Sequence, residues 1–236
     1  MNFLNLNRKL AQLALLQRIE LADKKLIKKR KIFGRYLFSK IFSKYFINTK
    51  KISEEYTKIM IEELNTIKKF TINKKNFLSI GAGIGGLELL ILKTFSDAHV
   101  SFIEKNYVSS KIRYGWDDLN REGYNDLNLL DEFLKNNEIS SKRYQIFDFD
   151  KKIFPINKFD ILLSIYSLDY HYDFELYSNY LKKVMTKDSI LIFDTIRPKY
   201  FENIFEHVEI VKEDSNTVHK SKRIACGVFK KKNENY

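Results

Sequence analysis

The chain has 236 residues, 44% of them hydrophobic and 31% charged, with one cysteine and a formal net charge of +12. This composition excludes a mostly disordered chain, an internal disulfide framework and a cysteine-rich zinc site. No apolar run reaches the roughly 18 residues of a conventional membrane-spanning helix. The charge is uneven. Residues 1–70 hold 17 Lys+Arg against 6 Asp+Glu, whereas residues 71–236 hold 25 against 24. A nearly neutral body thus follows a basic segment. Polar residues interrupt the opening apolar ones (Phe3, Leu4, Leu6), and charge follows at Arg8 and Lys9. That is a poor secretory signal, so a reducing cytoplasmic setting is expected.

The first 70 residues contain one glycine, Gly34, and no proline. Leu6, Leu10, Leu13 and Leu16, then Ile27, Phe38, Ile41, Phe42 and Tyr45, recur at helical spacing. Helices are expected over about 3–31, 32–47 and 53–69, the last opening on Ser53 with Glu54 and Glu55 in its first turn. The run Lys24 to Lys31 must face solvent or an anionic partner. This segment, 1–70, reads as a basic helical region with three uses: a lid, a membrane-peripheral surface through residues 1–50, or an RNA dock.

From about residue 76 short apolar runs alternate with helical stretches. Strands are expected at Phe77–Ile80, Val100–Ile103, Tyr144–Phe147, Phe159–Ser164, Ser189–Asp194, His207–Val211 and Arg223–Lys230. Alternation of this kind means a doubly wound, mostly parallel sheet with helices on both faces. The last two strands are joined by only a short loop from Glu213 to Lys222. A hairpin follows, so the final strand should be antiparallel.

Four motifs carry chemistry. Four of the eight glycines lie in Gly81-Ala82-Gly83-Ile84-Gly85-Gly86, directly after the first strand and before a helix. Such a turn lets a ligand approach the backbone and presents helix N-terminal amides to it. Glu104 ends the next strand, where an acid can accept hydrogen bonds from both hydroxyls of a ribose. Phe147-Asp148-Phe149-Asp150 follows the third strand. Asp148 can accept from an adenine amino group beside a stacking Phe149, with Asp150 equally placed and a simple turn as the alternative. Ser167-Leu168-Asp169-Tyr170-His171-Tyr172 follows the fourth strand, at the sheet edge where open α/β folds bind ligands. His171 is one of four histidines and can act as a general base, with Asp169 as its orienter or substitute; a helix cap is the other reading. Between Glu104 and the third strand, Tyr107, Arg113, Tyr114, Trp116, Arg121 and Tyr124 suit a sugar, nucleotide or phosphate. Asp194 and Arg197, at the end of the fifth strand, either pair with each other or bind acceptor.

The glycine loop, Glu104 and Asp148, in this order, resemble the class I S-adenosylmethionine-dependent methyltransferases over residues 76–230. That resemblance implies a seven-stranded Rossmann-like sheet with an antiparallel last strand over 71–236. It also implies S-adenosylmethionine as donor, bound by Gly81, Ala82, Gly83, Gly85, Glu104, Lys105, Asp148, Phe149 and Ser164. The stretches Lys111-Ile112-Arg113-Tyr114-Gly115-Trp116, Tyr124-Asn125-Asp126-Leu127, Ser167 to Tyr172 and Leu191 to Arg197 are similar to bacterial sugar O-methyltransferases of surface-polysaccharide clusters. Their likeness implies a glycan or small-molecule acceptor held by Tyr114, Trp116, Tyr170, Tyr172 and Arg197. His171 as base, with Asp169 as its orienter or substitute, completes the catalytic reading, and the scatter of Asp148, Asp150 and Asp169 leaves a metal-independent reaction as the expectation. His171-Tyr172-x-Phe174-Glu175 is also similar to messenger-RNA cap guanine-N7 methyltransferases, which keeps an RNA substrate as the alternative.

Overall fold

A computed structural model describes residues 3–22, 27, 28, 31, 32, 34, 47–109, 123–169, 172–213 and 220–230. Seven strands form one sheet: β1 (Asn76–Ile80), β2 (His99–Glu104), β5 (Tyr144–Asp148), β6 (Ile161–Ser164), β7 (Ile190–Thr195), β8 (Val208–Glu213) and β9 (Lys222–Cys226). Two short strands, β3 (Tyr107–Val108) and β4 (Tyr124–Asn125), make a separate antiparallel ribbon. The order across the large sheet is β5-β2-β1-β6-β7-β9-β8. Neighbours from β5 to β7 are parallel, and β9 runs antiparallel to both β7 and β8. The final strand is therefore the one reversed strand, as the short β8–β9 connection requires. The chain winds outward from β1 through β2 to β5, then resumes at β6 on the other side of β1. The carboxyl end of β1 is thus the switch point, where such sheets form their binding crevice.

The apolar runs alternate between two cores. Phe77, Ile161, Leu163 and Ile192 face one cluster, and Leu78, Leu162, Leu191 and Phe193 the other. This is the two-residue period of a strand covered on both sides. The first core is closed by α1 (Arg8–Gln17), α2 (Thr49–Thr71), α3 (Gly86–Thr94) and α4 (Leu127–Asn136). The second is closed by α5 (Glu175–Val184) and α6 (Pro198–Phe201), with Phe174, Phe193, Phe201 and Phe205 in edge or stacked contact. None of the described helices is long and apolar enough to cross a membrane.

The N-terminal helices differ from the sequence expectation. The first spans Arg8–Gln17 rather than 3–31. Leu4 N–H donates to Thr57 Oγ1 at 2.9 Å and Asn5 N–H to Asn137 Oδ1 at 2.9 Å, which holds the start of the chain extended. Asn7 then caps α1 by accepting from Leu10 N–H. At the other end Arg18 takes an extended conformation. Its guanidinium lies 3.1 Å from Glu20, 3.7 Å from Glu63 and 5.4 Å from the Tyr166 ring centroid. The next long helix among the described residues starts at Thr49, capped by Asn48, so Ser53 is buried inside it. Leu6, Leu10, Leu13 and Leu16 are all buried in the first core. Most of the helix expected over 32–47 and most of the Lys24–Lys31 run lie outside the described residues.

Candidate active site

The glycine loop leaves β1 with Gly81 N–H donating to Ile103 O at 3.0 Å. Gly81, Gly83 and Gly85 all have φ between +63° and +76°, where a side chain is strained. The spaces beside them differ. A Cβ on Gly85 would meet Leu130 Cδ1 at 2.8 Å and Phe102 at 3.2 Å, and one on Gly86 would strike the Tyr56 ring. Those two glycines serve packing. Gly81 and Gly83 are half-buried and face polar groups, the Ser167 hydroxyl and the Gln17 carboxamide. Ala82 between them is also half-buried.

Glu104 lies against this loop, at the end of the strand next to β1. Its carboxyl is buried, Oε2 accepts from Asn125 Nδ2 at 2.9 Å, and a Gly83 backbone N–H also donates to the carboxyl. Burial pushes the group up to about 8, and these hydrogen bonds only partly oppose that rise. Asn125 Nδ2 also donates to Gly83 O at 2.5 Å, so one amide joins the acid to the loop. Glu104 is in register with Asp148 on β5. Asp148 is half-buried and accepts from Asp150 N–H at 3.0 Å. Phe149 packs among Phe154, Tyr172 and Tyr177, with ring centroids 5.7–6.3 Å away. The buried Lys105 places its amine 5.7 Å from both the Phe149 and the Tyr172 centroids. A glycine turn, a buried acid and an aromatic wall therefore meet at the switch point. The Ser164 hydroxyl, below them, donates to Ile80 O at 2.8 Å and accepts from Leu168 N–H at 2.9 Å. It ties β6 to β1 and shapes the crevice through the backbone.

The turn after β6 is bent sharply, with Tyr166 and Asp169 both at φ 58°. Asp169 is buried and fully engaged. It accepts from Thr195 Oγ1 at 2.6 Å and from Arg197 Nε at 3.0 Å, and Arg197 reaches Asp173 at 3.3 Å as well. The Arg197 guanidinium also stacks 4.2 Å above the Tyr200 centroid. The pairing of Arg197 with Asp194 is thus replaced by one with Asp169. Asp194 instead accepts from Nε and Nη2 of Arg223, both at 3.1 Å. Tyr172 closes the turn, its N–H donating to Ser167 O and its carbonyl accepting from Asp169 N–H at 2.7 Å. Tyr114, Trp116, Tyr170 and His171 lie outside the described residues. Among the described residues, no three His, Cys, Asp or Glu side chains gather as a metal site needs.

Two residues at the site are absent from the sequence reading as site residues. Asn125 had a signal, since it sits in the Tyr124-Asn125-Asp126-Leu127 stretch, and Asp126 caps α4 by accepting from Asn128 and Leu129 N–H. Gln17 had none, being a polar residue at the end of an apolar helix.

No protein-family model matches the chain. No curated protein matches it in sequence. A candidate O-methyltransferase from Nostoc punctiforme PCC 73102 is similar in structure over 93% of this chain and 72% of its own, with a TM-score of 0.51 and 10% identity. The mitomycin 7-O-methyltransferase MmcR matches over 86% of this chain and 66% of its own, with a TM-score of 0.47 and 12% identity. Human methyltransferase-like protein 13, in complex with SAH, matches over 74% and 82%, with a TM-score of 0.44 and 13% identity. The fold is the Rossmann-like methyltransferase fold, seven strands with one antiparallel near the edge.

Proposed function

We propose that this chain is an S-adenosylmethionine-dependent methyltransferase acting on a hydroxyl of a sugar or related small molecule in surface-polysaccharide biosynthesis. The observation that carries the donor assignment is the buried Glu104 carboxyl, held against the Gly81–Gly83 turn at the switch point. In this reading Glu104 accepts from the ribose hydroxyls, and Gly81, Ala82 and Gly83 line the amino-acid end. Asp148, Phe149 and Lys105 border the base. Bound there, the donor supplies a methyl group already activated on a sulfonium sulfur. The chain must then orient the acceptor and take up its proton. His171 is proposed as the base and Asp169, through Arg197, as a positioning residue for the acceptor edge. Arg197 stacked on Tyr200 supports a polyhydroxylated acceptor, which aromatic and guanidinium faces suit.

The burial of Leu6, Leu10, Leu13 and Leu16 supports a docked cover rather than a free basic arm. Membrane contact and RNA docking through residues 1–50 remain as alternatives, and RNA binding would fall steeply with salt. The test supplies labelled S-adenosylmethionine with three acceptor pools: nucleotide-sugar and polysaccharide precursors, total RNA, and lipid extract. Label is expected in the first pool. Label confined to RNA would move the assignment to an RNA methyltransferase. His171→Ala is expected to lose turnover while donor affinity, read by calorimetry, stays at the wild-type value. Turnover retained in that variant would remove the histidine from the mechanism.

A further inference from the structure

Gln17 ends α1, and its carboxamide reaches across to the glycine loop. Its Oε1 accepts from Ile84 N–H at 3.2 Å, and its Nε2 donates to Tyr124 O at 2.6 Å. A Cβ built on Gly83 would lie 2.5 Å from Oε1 and 3.2 Å from Nε2, so the missing side chain at Gly83 is what admits this amide. The next residue, Arg18, is held by Glu20 and Glu63, and the preceding Leu13 to Leu16 are buried. The backbone of Gln17 is therefore fixed, and only its side chain has freedom to adjust.

Two amides thus hold the loop. Asn125 bonds Gly83 O and Glu104, and Gln17 bonds Ile84 N–H. With the ribose assigned to Glu104 and the amino-acid end to the Gly81–Gly83 turn, the Gln17 carboxamide against Gly83 lies at the far end of the donor. That end is an α-amino acid, a carboxylate beside an ammonium. With one N–H given to Tyr124 O and one lone pair to Ile84 N–H, the Gln17 carboxamide keeps a second N–H and a second lone pair side by side with no net charge, which matches a zwitterion without favouring either half.

We propose that Gln17 is a donor-binding residue that recognises the α-amino-acid end of S-adenosylmethionine, which makes the N-terminal helix a wall of the donor pocket. The inference rests on the methyltransferase reading above and adds a ligand contact to it.

The test is calorimetry on the full chain with two probes. S-adenosylhomocysteine carries the amino-acid end, and 5′-methylthioadenosine stops just beyond the sulfur. Gln17→Ala should weaken S-adenosylhomocysteine by about 5- to 30-fold, the scale of one or two lost hydrogen bonds. It should leave methylthioadenosine within about twofold. Gln17→Met, of similar length but with no N–H donor and no amide acceptor, should weaken S-adenosylhomocysteine over the same range, about 5- to 30-fold. This variant keeps the test open should the alanine variant melt early. Equal losses for both probes, or an unchanged affinity for S-adenosylhomocysteine, would overturn the proposal. A wild-type chain that binds neither probe would instead sink the methyltransferase reading itself, so the two failures are distinguishable.

Discussion

Replacing Arg223 by methionine is expected to destabilise the fold by about 3–5 kcal/mol, the scale for removing one partner of a buried ion pair. Arg223 is only 1% exposed. Its guanidinium sits between Asp194 on β7 and Glu63 on α2, and also donates to Thr66 at 2.9 Å. Without it, Asp194 keeps a hydrogen bond from Tyr166 N–H but loses its buried cation. Glu63 keeps Arg18 at 3.7 Å and Lys212 at 3.8 Å, both longer contacts. Burial pushes the Glu63 carboxyl up, but Arg223, Arg18 and Lys212 together more than reverse this and hold it below the usual carboxylate range. A depressed native value adds stability above the unfolded value, and that stability is lost as pH falls through the native one. Denaturant unfolding at pH 7 and again near pH 4 measures both effects. The gap between wild type and the methionine variant should narrow on acidification, because only the wild type holds Glu63 down through Arg223. Adding Asp194→Asn and Glu63→Gln to that variant should recover part of the loss, because neutral groups tolerate burial better. A single variant within 1 kcal/mol of wild type would show that water or relaxation replaces the guanidinium.

This cluster also marks where the sequence stops being readable. The strands are legible because local composition determines them: Phe77–Ile80 and Ile161–Ser164 are short, mostly apolar runs bounded by turns, as strands covered on both faces read. The glycine loop and Glu104 are legible because each follows a strand within a few residues. The reversed last strand follows from a connection too short for a crossover. In contrast, Arg223 meets Glu63 across 160 positions and Asp194 across 29. Arginine is normally read as exposed, and nothing local marks this one. Arg197 has Asp194 three residues before it, yet its partner is Asp169, 28 positions away. The start of α1 is set by Thr57 and Asn137, which take the N–H groups of Leu4 and Asn5. The β3–β4 ribbon has two residues per strand, too few for any period to register. These features depend on distant partners, and helical or strand spacing carries no record of them.

Glu104→Ala is expected to weaken S-adenosylmethionine binding by about 10- to 100-fold at pH 8, the range for stripping a charged acceptor from buried hydroxyl donors. The size of the effect should depend on pH, and its sign follows from burial. In the donor-free chain Glu104 is raised to about 8 from an ordinary value of 4.5. Near neutral pH the carboxyl is therefore mostly protonated. Ribose hydroxyls bond best as donors to the ionised form, so binding the donor should release a proton. Affinity is expected to climb by up to about tenfold per unit between pH 6.5 and 8, then level off. Glu104→Gln, which cannot ionise, should bind weakly and with no such slope. Stability without donor should run the other way. The native carboxyl keeps a proton that the unfolded chain has already released, so wild-type stability should fall as pH rises from about 4.5 towards 8. The glutamine variant should melt above the wild type at pH 8, and the gap should narrow towards pH 5. Calorimetry in buffers of different ionisation enthalpy reads the released proton directly, and thermal melting across the same range reads the stability. A flat affinity profile in the wild type, with no proton released, would mean that the Glu104 carboxyl does not meet the donor.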